Sequence, residues 1–316
     1  MNNEQCKEVL KTALFRLIQA DYVFLDLPYF GNVGDILIWQ TTLDLLKSIP
    51  YKCLYSASSE TYVKPKIDKN AIILFVGGGN FGDLWIRHQI FRYQVMNDFP
   101  DNQIVQLPQS VFFYTSESLN KDVEIFSKHR GKVTICLRDQ HSFDLIKTNY
   151  HGVTALLLPD MVFAFDVDLY LKKYGLYDIN GKGSLYVRRN DSESFMREQS
   201  DKYVPSDAVV ADWPSMGTYY KPLVVYSRFI RVIGFLGQGM VRRASDYLFQ
   251  RVVKDIILCS GLRFIAKYNR IYTTRLHCGI LAYLMGKKVE LFDNSYRKIS
   301  GVYDLWLYDQ QNIELR

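Results

Sequence analysis

Five runs of β-branched, aliphatic and aromatic residues, spaced through the first half of the chain, limit the fold more than any other feature. They are Tyr22–Leu27, Ala71–Val76, Gln103–Leu107, Val133–Leu137 and Thr154–Leu158. Each run is apolar almost without a break, as expected of strands buried on both faces rather than one. Helical spacing fills gaps between them, as at Ile36–Lys47 and Leu119–His129. Buried strands alternating with helices predict a parallel sheet covered on both sides, and right-handed crossovers make it doubly wound.

A second set of elements follows. Composition changes after Pro159–Asp166, and the polar, tyrosine-rich stretch Val167–Lys182 is read as a linker. Beyond it come strands at Ser184–Arg188, Ala208–Ala211, Arg270–Thr274 and Lys288–Phe292, with helices at Ala244–Cys259 and Leu276–Met285 and a terminal helix. At 316 residues the chain exceeds one ordinary core. The expectation is therefore two α/β domains, 1–166 and 167–316.

The formal charge of +6 favours anionic partners in a general way: phosphates, acidic glycans or a headgroup surface. No arginine-rich run or zinc-finger spacing accompanies it, so nucleic acid is not expected. The five cysteines are scattered, without a CxxC pair, and read as reduced thiols of a cytosolic protein. The mixed-charge start lacks the plan of a signal peptide, and no run reaches the roughly 18 apolar residues of a membrane span. A cytoplasmic protein is the expectation, with room for peripheral contact at the inner membrane face.

In open parallel sheets ligands bind beyond the carboxyl ends of the strands. The residues following each predicted strand are PYFGNVGD, GGGN, LPQS, RDQHS, LPD, RRND, TTRLH and FDNS, the polar and glycine-rich clusters of the chain. They would gather along one edge, facing a cleft that holds an anionic, phosphate-bearing small molecule.

Within these clusters, Asn32 and Asp35 of Gly31–Asp35 offer either a helix-start anion site or a plain turn with Asp35 as a first-turn acid. Gly78, Gly79 and Asn80 follow a buried strand, and consecutive glycines permit close approach by a substrate, with Asn80 and Asp83 at the next helix start. Arg138 is either a clamp for carboxylate or phosphate, or an ion-pair partner of Asp139 or Asp160. Arg188 and Arg189 end a strand of the second domain, and alternation turns only one of them toward the cleft. Arg275, Leu276 and His277 form the most informative segment. Its arginine supplies fixed charge and its histidine can exchange a proton near neutral pH. His88, His129 and His151 read as surface residues, and His141, close to Arg138, either lines the cleft or, the preferred reading, has no special role. No HExxH or clustered His/Asp spacing argues for a metal. The stretch Tyr226–Leu236, continuing to Arg242 and Arg243, mixes basic and large apolar residues. It reads either as a core element with a basic rim, the preferred reading, or as a membrane-surface helix.

Together these clusters resemble the polysaccharide pyruvyl transferase family over about residues 28 to 306. The marks are GNVGD at 31–35, GGGN at 77–80, LPQS at 107–110, RDQHS at 138–142, LPD at 158–160, TRLHCGILAYLMGKKV at 274–289 and YRKISGVYDL at 296–305. The resemblance implies two Rossmann-like domains facing a central cleft in the manner of GT-B glycosyltransferases. It implies transfer of pyruvate from phosphoenolpyruvate onto a sugar of a surface-polysaccharide precursor, lipid-linked, in capsule or exopolysaccharide synthesis. No cofactor is implied beyond phosphoenolpyruvate as donor. Arg138 and Arg275 match the family's anion-binding arginines and His277 its catalytic histidine, as acid on the methylene carbon or base on a hydroxyl. The glycine clusters would shape the acceptor side. Two other readings stand beside it: a glycosyltransferase of the same architecture using a nucleotide sugar, and a glycan- or anion-binding protein without turnover.

Overall fold

The computed structural model describes residues 1–177, 179–189, 201–217, 219–234, 237–293 and 298–316. It divides into two compact units, one of Met1–Leu27 with Ile38–Ala164, the other of Pro28–Leu37 with Phe165–Arg316.

The first unit holds a seven-stranded sheet. Its strands are β1 (Tyr22–Leu25), β2 (Cys53–Ala57), β3 (Ile72–Phe75), β4 (Gly78–Gly82), β5 (Ile104–Phe112), β6 (Val133–Leu137) and β7 (Val153–Leu157). The order is β2-β1-β3-β5-β6-β7, with β4 pairing β5, and every pair is parallel. β1, β3 and β6 are buried along their whole length, as their nearly continuous apolar sequences favour. The helices are α1 (Asn3–Leu17), α2 (Val33–Leu46), α3 (Ile86–Asp98), α4 (Ser116–Ser127) and α5 (Gln140–Asn149). The segment Pro28–Leu37, with the first residues of α2, is counted with the second unit. Ile73 and Phe75 meet Phe81, Phe91 and Phe126 in the core, and edge-to-face rings such as Phe75 on Phe91 at 6.3 Å fix the packing.

The second unit has β8 (Ser184–Val187), β9 (Val209–Ala211), β10 (Arg270–Thr273), β11 (Lys288–Leu291) and β12 (Ile313–Leu315), in the order β12-β11-β10-β8-β9, again all parallel. Its helices are α6 (Val167–Lys173), α7 (Lys221–Ile233), α8 (Gln238–Leu248), α9 (Lys254–Ala266), α10 (Leu276–Leu284) and α11 (Lys298–Trp306), and a π turn, Phe249–Val253, joins α8 to α9. In both sheets the strand order reverses between the first strand and the third, which is where doubly wound folds bind ligands. The expected class, parallel α/β in two Rossmann-like sheets, is what forms.

Several expectations are corrected. Gly78–Asn80 do not lead into a helix: they belong to β4, and the next helix begins only at Ile86. The stretch Val167–Lys182 is not all linker, because Asp166 caps α6 through the Leu169 amide. The stretch Ala244–Cys259, expected as one helix, is helical throughout, with a π-helical stretch at Phe249–Val253. The polar N-terminus hides a helix: Asn2 and Gln5 form a capping box, and Cys6, Leu10, Leu14 and Leu17 line one buried stripe. α7 buries no residue, so the preferred reading of Tyr226–Leu236 as a core element fails. Phe235 and Leu236 of that stretch lie outside the described residues, as do Asn190 and Asp191 of RRND, Asn294 and Ser295 of FDNS, and Tyr296 and Arg297.

Candidate active site

In the second unit the strand order reverses between β8 and β10, and the chain leaves β10 directly into the Arg-Leu-His turn. Thr273 shapes that turn. Its hydroxyl donates to the Val187 carbonyl at 3.1 Å and accepts from the Arg275 amide at 2.9 Å. The neighbouring Thr274 hydroxyl accepts from the Arg189 amide at 3.0 Å, which ties the end of β8 to the same turn. Arg275 is the N-cap of α10 and lies buried, its guanidinium gripping Asp212 through Nε at 2.5 Å and Nη2 at 2.7 Å. A bidentate pair of this kind fixes the fork of the arginine and carries much of its geometric specificity. Arg188 is half-exposed and stands 3.7 Å from Asp201.

His277 is the second residue of α10 and is partly exposed, whereas Leu276 and Cys278 on either side are buried. Burial pushes the Cys278 thiol up to about 12, so it stays a thiol at neutral pH and offers no nucleophile beside the histidine.

The Gly31–Asp35 loop packs within this same unit. Asn32 caps α2, its side-chain oxygen accepting from the Gly34 amide at 3.0 Å, so the cap is Asn32 and Asp35 is the first-turn acid. The Gly31 carbonyl accepts from the Ser215 hydroxyl, and Tyr29 stacks on Phe249 at 4.6 Å while its hydroxyl donates to Asp246. Gly34 lies flat against His277: a Cβ there would sit 2.5 Å from Nδ1 and 2.9 Å from Cγ. The amino ends of α2 and α10 therefore meet at one imidazole. Helix amino ends favour anions, and two of them beside a proton-exchanging group suit a charged substrate that must be protonated or deprotonated.

In the first unit the GGGN and LPQS clusters meet through the pairing of β4 with β5. Asn80 exchanges hydrogen bonds with Gln109, its amide donating at 3.2 Å and its side-chain oxygen accepting at 3.0 Å. Arg92 donates to the Asn80 side chain at 2.5 Å and to Gln106 at 2.8 Å. Gly78 takes a φ of 141°, open to glycine, and Gly79 next to it is part-buried. Arg138 takes the ion-pair alternative with Asp160: it is fully buried, with Nη1 2.5 Å from the Asp160 carboxylate and Nε 2.9 Å from the Ser110 hydroxyl. Asp139 instead caps α5 through the Ser142 amide at 2.8 Å.

Of the expected site residues, Asn32, Asp35, Arg188, Arg189, Arg275, Leu276 and His277 fall in the second unit, and Gly78, Gly79, Asn80 and Arg138 in the first. Two groups escaped the sequence reading. Asp212 follows β9 as the other clusters follow their strands, and that position is the signal that could have found it. Asp26 holds a left-handed φ of 65° at the end of β1, rare for a residue with a side chain, and its carboxylate lies 2.7 Å from Nδ1 of His88. His88 is thus buried and paired, not a surface residue, and His129 is part-buried with Nε2 2.8 Å from the Asn102 carbonyl. A carboxylate inside an otherwise apolar strand run was the available cue.

The polysaccharide pyruvyl transferase family model matches residues 32–208. EpsO of Bacillus subtilis, which carries the name of a pyruvyl transferase, is 29% identical over 297 residues, covering 92% of this chain and 86% of its own. Pyruvyl transferase 1 of Schizosaccharomyces pombe is 25% identical over 301 residues, covering 89% and 68%. The crystal structure of an uncharacterized Klebsiella pneumoniae protein matches in fold with a TM-score of 0.62 at 21% identity, over 100% of this chain and 99% of that one. The family match spans more than half of the 316 residues, and this chain belongs to the polysaccharide pyruvyl transferase family.

Proposed function

We propose that the chain moves pyruvate from phosphoenolpyruvate onto two hydroxyls of a sugar in a surface-polysaccharide precursor, lipid-linked in the cell, and so closes a pyruvate ketal. The observation that carries the reading is the contact of Gly34 with His277, which makes the GNVGD loop and the Arg-Leu-His turn one site.

The donor is small and multiply charged. The amino ends of α2 and α10 supply a positive field for its carboxylate and phosphate beside the Arg275 guanidinium, whose own charge is balanced by Asp212. We take Nε2 as the nitrogen that carries the transferred proton, since Gly34 lies against the Nδ1 side of His277. Protonated Nε2 gives that proton to the methylene carbon, which becomes the methyl group and leaves C2 electrophilic. A sugar hydroxyl attacks C2 and returns its proton to the imidazole. The C2–O bond to phosphate then breaks, and a second hydroxyl adds to C2, its proton leaving with the phosphate. One hydroxyl proton thus replaces the one His277 gave, and the products are the ketal and inorganic phosphate. General acid–base catalysis of this kind contributes about 10²- to 10⁴-fold. Buried Cys278 leaves the imidazole as the group in this turn suited to the transfer.

The test is phosphate release from phosphoenolpyruvate with galactosyl, mannosyl and glucosyl acceptors, followed by mass spectrometry of the acceptor. Acceptor-dependent release with the mass gain of a pyruvate ketal is expected. If phosphoenolpyruvate neither reacts nor raises the melting temperature while a nucleotide sugar does, the chain is a glycosyltransferase and the proposal fails.

A further inference from the structure

α7 is built against the usual logic of a helix on a globular unit. Its inner stripe is held: Leu223 lies over Gly31, and Tyr226 sets its ring edge on Phe249 at 5.1 Å with its hydroxyl on Ser245. A second apolar stripe, Val225, Phe229 and Val232, runs at i, i+4 and i+7 on another side and is 63%, 42% and 65% exposed. α8, which packs beside α7, adds Met240 and Tyr247 at i and i+7, 58% and 70% exposed. Exposed apolar side chains are ordinary when scattered and informative when aligned on neighbouring helices.

The charge around them is one-sided. Between Tyr219 and Val252 the sequence has six Lys and Arg against one acidic residue, so this stretch holds a net +5 of the chain's formal +6. The one acid, Asp246, is engaged by the Tyr29 hydroxyl at 2.7 Å. Arg228, Arg231 and Arg243 are exposed, and none of the three forms an ion pair with a described residue. An apolar stripe with arginines beside it is the pattern of a helix that lies in the headgroup region.

We infer that the α7–α8 helix pair is a docking surface for an anionic lipid bilayer. The apolar stripe enters the boundary between headgroups and acyl chains, and the arginines engage the lipid phosphates. A second copy of the chain fits less well, since a two-fold contact through this face would set its unpaired arginines against their own images. No helix among the described residues is long and apolar enough to cross a membrane, so the contact is with the surface.

Co-sedimentation of the full chain with phosphatidylcholine vesicles, with and without phosphatidylglycerol, tests this apart from any pyruvyl chemistry. Binding is expected only with phosphatidylglycerol present. It should weaken as salt rises from about 0.1 M to about 1 M, where the Debye length falls from about 10 Å to about 3 Å. The Val225→Ser/Phe229→Ser/Val232→Ser variant and the Arg228→Glu/Arg231→Glu variant should each bind at least about 10-fold more weakly with unchanged melting temperatures, since all five positions are exposed. The inference is overturned if the wild type stays in the supernatant with phosphatidylglycerol vesicles, or if both variants bind as it does. It is also overturned if light scattering shows a dimer that the apolar variant dissolves, which would assign the face to a second copy.

Discussion

At the scale of single residues, the site rests on side chains that are absent as much as on those present. Gly34 has no special backbone angle, and its role is purely one of space, because any Cβ would collide with the His277 ring. Gly34→Ala should therefore lower turnover by about 10²-fold, the effect expected when a catalytic group moves by about 1 Å, with little loss of melting temperature. Steady-state kinetics beside a thermal melt would show it. A different histidine sets a pH limit. Burial lowers the pKa of His129 below its ordinary 6.5, although the Asn102 carbonyl at 2.8 Å opposes the shift. The stability it contributes is fully present above the unfolded value and is lost as pH falls through the depressed folded one. Melting temperatures measured between pH 7 and pH 5 should fall less steeply in His129→Gln than in the wild type. Residue roles were the part of the site least legible in the sequence. His88 looked like a surface group because its partner Asp26 lies 62 residues away and is reachable only through the sheet, whereas for Arg138 the sequence offered both a clamp and a pair with Asp139 or Asp160, and the structure takes the pair with Asp160.

At the scale of elements, strands were more legible than helices. Nearly continuous apolar runs such as Val133–Leu137, broken only by Thr134, favour burial on both faces, so they are readable from composition. β2 escaped notice because an edge strand keeps Cys53 and Leu54 exposed and its pattern is correspondingly mixed. β4 escaped because Gly78 and Gly79 read as a turn, whereas the parallel pairing with β5 recruits them into a strand. The Arg-Leu-His turn was visible as a strand-to-helix junction. Its brace was not: Asp212 comes from the end of β9 and meets Arg275 only when β8 lies between β9 and β10. Removing the acid from this largely buried pair leaves an uncompensated arginine. Asp212→Ala should cost about 3 kcal/mol, the low end for breaking a buried pair, because Asp212 retains some exposure. Asp212→Asn, which keeps an acceptor of the same shape, should retain more stability, and thermal melts of the two variants side by side would decide it.

At the scale of the whole molecule, the two parallel sheets share the same reversal of strand order, which is why the segments after the predicted strands were the places to look for candidate site residues. What no local pattern could convey is that Pro28–Leu37 belongs with the second unit, so that two motifs over 240 residues apart in the sequence, at Gly34 and His277, touch. We propose that this junction performs proton transfer on a bound anion rather than binding it alone. Phosphoenolpyruvate affinity and acceptor-dependent phosphate release, measured together on the wild type and His277→Ala, test it most directly. The variant should still bind the donor, seen as a rise in melting temperature, while turnover falls by about 10²- to 10⁴-fold. Turnover at the wild-type rate in His277→Ala would exclude proton transfer by this imidazole.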